Sequence, residues 1–184
     1  MVREVYLLIA LVVVAGAFLI RRFRIGFHQV RKYWGKMLVT CPETHETAAV
    51  DVGKGEAAMS AMLGHPHVEL SSCTRWPEKE DCGQECLSQI EQDSESHRWW
   101  TVASRWFVGK KCVYCGQVIG VPHHFDHQGA LRTADRTTTE WNQVPPEKLP
   151  EVLSHSDPVC WNCHVVETFR RLRPQLVVER PRGG

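Results

Sequence analysis

Two Cys-x-x-Cys pairs, Cys112/Cys115 and Cys160/Cys163, stand 44 residues apart in this chain. A CxxC turn aims two thiolates at one point, and two such turns close a tetrahedral coordination sphere. Whatever lies between them must therefore fold back on itself. Gly116 follows the first pair, where the chain has to turn with positive φ. A sphere closed by four sulfurs leaves no open position, so the ion it holds is structural.

The chain has eight cysteines, and the other four lie upstream: Cys41, Cys73, Cys82 and Cys86. Asp81 reads as a helix start, which would set Cys82 and Cys86 at i and i+4 on one face, able to grip a second ion. His45, His65 and His67 could replace a sulfur. The expected cofactors are two structural zinc ions, with iron as the other metal that four thiolates accept. A competing pattern overlaps the last pair. Cys160-Trp-Asn-Cys163-His164 is a haem c attachment string, with His164 as axial ligand, and it applies if the domain is exported.

Redox compartment decides between metal and disulfide, and it is read from the other end of the chain. Val5 to Ile20 is a run of sixteen residues without a charge. As a helix it covers about 24 Å, which Phe23 and Ile25 extend if the intervening arginines snorkel. Basic residues follow it: Arg21, Arg22, Arg24, Arg31, Lys32 and Lys36. Before it stand only Arg3 and Glu4, too little for the basic start of a signal peptide. The asymmetry predicts a single-pass membrane protein with its soluble part on the cytoplasmic side, where thiols stay reduced.

Residues 1–36 hold seven basic and one acidic side chain of the chain's 22 and 21, leaving 15 and 20 for the remainder. The soluble part is thus acidic, which disfavours nucleic acid as a partner. The basic charge sits beside the anchor, where membrane lipid is its natural counterpart.

The expected fold class is α+β: one transmembrane helix, then two small zinc-stabilised domains of zinc-ribbon or treble-clef type. The divisions are 1–25 for the anchor, 26–38 for a juxtamembrane connector, 39–108 for a first four-cysteine domain, 109–175 for a second, and 176–184 for a tail. Short strands are expected at 38–42, 47–52 and 67–70, and helices at 54–63 and from Cys163 to Arg173. Residues 97–108 carry Trp99, Trp100, Trp106 and Phe107 at helical spacing, a Trp-rich helix closing the first domain. The polar, proline-containing stretch 133–150 reads as a long loop.

Residues 111–171 also resemble the HNH endonuclease family. Cys112-Val-Tyr-Cys-Gly is similar to its first zinc knuckle, Phe125-Asp126-His127 to its Asp-His strand end, and Cys160-Trp-Asn-Cys-His164 to its second knuckle and metal-binding helix. The resemblance implies a ββα-metal fold supported by a four-cysteine zinc. It also implies His127 as general base, with Asp126 and His164 holding a divalent ion against a phosphate. Two positions depart from the pattern: His155 stands where the family has an asparagine, and Glu167 where it has a basic residue. The reading that joins anchor, acidic charge and closed metal sites is a zinc-binding accessory protein acting through a membrane-protein partner, without catalysis. An HNH-like nuclease and a membrane-bound c-type cytochrome are the alternatives.

Overall fold

The computed structural model describes residues 2–76, 82–120 and 129–176. The chain is mixed helix and sheet, and it divides into two compact units, residues 1–98 and 99–184.

The first unit opens with helix α1, Val2–Lys32, which is long and apolar enough to cross a membrane. At 1.5 Å per residue it extends about 46 Å. Its apolar part is exposed, with Leu8, Leu11, Val14 and Leu19 each about two-thirds accessible. The helix does not stop with the anchor as expected. It runs unbroken through most of the segment read as a connector, because residues 26–32 have a packing partner in helix α2, Lys54–Leu63. Gly26 permits the approach: a Cβ there would meet Met62 Sδ at 2.6 Å. Small residues on α2, Ala57, Ala58 and Ala61, are buried. Gly64 ends α2 with φ +92, its N–H donating back to Ala61.

A three-stranded antiparallel sheet, β1 (Met37–Thr40), β2 (Thr47–Val52) and β3 (Leu70–Cys73), completes this unit in the order β1-β2-β3. Its core contains Tyr33, Met37, Val39, Val50, Val52, Leu70 and Ile90. Ile90 comes from helix α3, Leu87–Gln92. Arg98 returns to the end of α1 and donates to the carbonyls of Arg31 and Lys32 at 2.8 and 3.1 Å.

The second unit begins with helix α4, Trp99–Phe107. From sequence this Trp-rich helix is expected to close the first domain, residues 39–108. Its partners lie instead in the second unit, where Trp99 and Trp100 pack edge-on against Trp141 with centroids 4.7 and 5.9 Å apart. The stretch read as a loop is also structured. It carries β5 (Thr138–Glu140), two single-turn 3-10 helices and the start of helix α5 (Leu149–Ser154), with Trp141, Val144 and Leu149 buried. Its prolines occupy positions that need no N–H, at the first turns of short helices. Strand β4 (Ala130–Arg132) pairs antiparallel with β5 on one side and with β6 (Asp157–Val159) on the other. Helix α6, Trp161–Leu172, follows β6 and stops before Pro174.

Candidate metal centre

The four-thiol cluster is assembled by two turns that lean on one strand pair. In the first, Lys111 bridges Val118, Cys112 N–H donates to Gln117 at 2.9 Å, and Gly116 N–H donates to Cys112 at 2.8 Å. Gly116 has φ +71, the conformation expected for the residue after the pair. In the second, β6 delivers Cys160 in extended conformation and α6 begins at once, so Cys163 falls in its first turn. Val113 N–H donates to Pro158 at 3.0 Å and ties the two turns together. Ala130 and Val159, opposite each other across β4 and β6, form the apolar floor with Cys112.

The result brings the sulfurs of Cys112, Cys115, Cys160 and Cys163 within 4.8 Å of one another. Those of Cys115 and Cys160 are 3.7 Å apart. A tetrahedral ion with metal–sulfur bonds of about 2.3 Å requires sulfurs about 3.8 Å apart, so the cluster fits a metal ion such as zinc with little adjustment. Cys112 is buried and Cys115 exposed. Burial works to raise the Cys112 thiol, but backbone N–H donors from Cys160, Cys115 and Tyr114 outweigh it and bring it down to about 6. Burial pushes the Cys160 and Cys163 thiols up. Two of the crowded sulfurs, those of Cys160 and Cys163, therefore hold protons that a cation would displace.

The upstream quartet is arranged differently. Cys41 follows β1, Cys73 ends β3, and Cys82 and Cys86 precede α3. All four line one cavity of about 50 Å³, together with Val39, Leu70 and Trp76. The expected helix across Cys82 and Cys86 is not formed, since α3 starts only at Leu87. Gln84 adopts φ +55, and its side-chain Oε1 accepts from Leu70 N–H at 2.9 Å, turning the chain between the two cysteines. Burial raises the Cys86 thiol to about 11, with Cys82, Cys73 and Cys41 adding to it, while Thr44 draws Cys41 down through its N–H and then its hydroxyl. Among the described residues, the 4.8 Å grouping belongs to the downstream quartet.

Of the histidines offered as substitutes, His67 has a side-chain partner. His45 occupies a turn at φ +58, and His65 N–H donates to the Ser60 carbonyl. His67 pairs with Glu69 at 2.7 Å. His164 is buried on α6, its Nδ1 2.9 Å from the Thr138 hydroxyl and its ring 5.6 Å from Trp161. Burial lowers its pKa, so the neutral imidazole is favoured. His155 turns back on α5, to Ser154 and the Glu151 carbonyl. Asp126 and His127 lie outside the described residues. No pattern in the sequence links His164 to Thr138. Comparison of the chain with protein-family models, with curated proteins and with solved structures found no match.

Proposed function

We propose that this chain is a membrane-anchored zinc protein that serves as an accessory subunit, binding a membrane-protein partner from the cytoplasmic face. The observation that carries the metal reading is the convergence of four thiols within 4.8 Å. Zinc suits that donor set and needs no redox partner. A second zinc in the 50 Å³ cavity of the upstream quartet is part of the same proposal, supported by the four cysteines that line it. The anchor rests on α1, and the sidedness on the basic residues after its apolar run. The interaction role is supported by the exposed apolar side chains of α6, among them Val165, Phe169 and Leu172, beside Arg170 and Arg171.

The haem c reading needs Cys160 and Cys163 committed to a porphyrin and His164 free to ligate iron. The same two thiols converge with Cys112 and Cys115, and His164 is engaged by Thr138, which favours the closed metal site. The nuclease reading draws support from one feature, a β4–β5 hairpin with His164 of the later helix α6 set against Thr138 of β5.

Metal analysis and an absorption spectrum of the full chain purified from membranes test these readings together. The expected result is two zinc ions per chain and no visible band. A covalent haem band or iron absorbance would overturn the zinc assignment. Plasmid nicking with added magnesium or manganese, abolished in His127→Ala, would replace the accessory role with catalysis.

A further inference from the structure

Helix α1 changes character between Ile20 and Arg24, and α2 covers only one of its faces there. The covered face includes Gly26, against Met62. Arg22 belongs to that side: its guanidinium lies 5.0 Å over the Phe18 ring, and its Nη1 stands 3.6 Å from where a Gly64 side chain would begin. The face roughly opposite is open. It forms a shallow, open groove along α1 alone, lined by Ala17, Ile20, Arg21, Arg24, Ile25 and His28, with Gln29 at its end. Among the described residues neither Arg21 nor Arg24 has an ion-pair partner.

The groove is apolar at the end that continues into the exposed aliphatic helix and cationic at the other. Its two arginines are three residues apart, on one side of the helix. Guanidinium groups so placed can fork onto phosphate oxygens, while Ala17 and Ile20 offer an apolar wall to hydrocarbon. A soluble phosphate would use the first half of this surface and leave the second exposed. A phospholipid uses both.

We propose that Arg21 and Arg24, with His28, form a headgroup site for an anionic phospholipid on the face of α1 that α2 leaves open. The site rests on the reading of α1 as a membrane span. Arg21 and Arg24 contact the phosphate, and the acyl chains run along Ala17 and Ile20 toward the apolar part of the helix.

The test uses the full chain in detergent micelles, titrated with dioleoyl phosphatidylglycerol or dioleoyl phosphatidylcholine and read by native mass spectrometry. The wild type should retain phosphatidylglycerol in preference to phosphatidylcholine. Arg21→Gln and Arg24→Gln should each weaken phosphatidylglycerol about five-fold, and Arg22→Gln should leave it within about two-fold, because one basic side chain at a membrane surface contributes about that factor and Arg22 faces the other way. An equal loss in Arg22→Gln would show diffuse charge attraction and overturn the site. So would absence of lipid preference, or glycerol phosphate competing as well as the whole lipid. Alkaline carbonate washing of membranes carrying the chain separates the two layers of the argument. Release into the supernatant sinks the membrane anchor and this site together, whereas retention without lipid preference sinks the site alone.

Discussion

The backbone N–H of Val113 donates to the carbonyl of Pro158 at 3.0 Å, joining two turns that lie 45 residues apart in the chain. Together with the β4–β6 pair, this bond brings the two cysteine turns to one place. A metal ion bound there would relieve the crowding among the four thiols.

That crowding sets a pH dependence. Cys112 sits near 6 and is largely thiolate at neutral pH, whereas burial keeps Cys160 and Cys163 protonated there. Zinc binding must therefore expel at least two protons, and affinity should rise with pH. Between pH 6.5 and 8 the increase should approach a hundredfold per pH unit, about tenfold for each proton displaced. Competition against a chromophoric chelator across that range measures it, and a flat profile would contradict the protonation states assigned here.

Cys163→Ser should unfold the second unit and leave the first intact. Binding free energy at structural zinc sites is about 10–16 kcal/mol, which exceeds the stability of most small domains. Trp99, Trp100 and Trp141 share one cluster, so the emission of the unit should shift to the red, while helix α1 and the first sheet persist by circular dichroism and protease resistance. An unshifted spectrum with full protection would show that the apolar floor suffices without metal.

Gly129→Ala should destabilise the second unit by about 1–3 kcal/mol through overpacking. Its new Cβ would lie 2.7 Å from the fully buried Phe107 ring and 3.0 Å from the Val159 carbonyl, and neither has room to retreat. Denaturant melts of wild type and variant check this. The matching change Gly26→Ala meets the flexible Met62 side chain and should cost less.

Arg98→Ala removes two charge-assisted hydrogen bonds to the last carbonyls of α1. A loss of about 1–3 kcal/mol is expected, and Arg98→Lys should recover only part of it because the shorter, more flexible lysine lacks the rigid planar group that holds Nη2 between both carbonyls. Hydrogen exchange at residues 28–32 would report the loosened helix end. Equal protection in all three chains would assign Arg98 no capping role.

Much of this was legible in the chain itself. The downstream quartet was readable because CxxC spacing is a local geometric signal, and β2 and α2 fall at the ranges expected from the local sequence, 47–52 and 54–63. The errors share a cause. Residues 133–150 read as loop because proline and polar residues dominate them, yet Trp141, Val144 and Leu149 give that stretch a buried face through contacts distant in sequence. Asp81 and the spacing of Cys82 and Cys86 suggested a helix, but Gln84 reaching to Leu70 outweighed local propensity. The domain of the Trp-rich helix turned on a ring 42 residues beyond Trp99, which no local pattern encodes.

The unbroken course of α1 has a mechanical consequence. With no hinge between its aliphatic stretch and the residues that pack on α2, the first sheet is mounted on a mast and does not swing from a tether. Whatever takes up the aliphatic end fixes the tilt of that sheet, and a push on the sheet is felt along the whole rod.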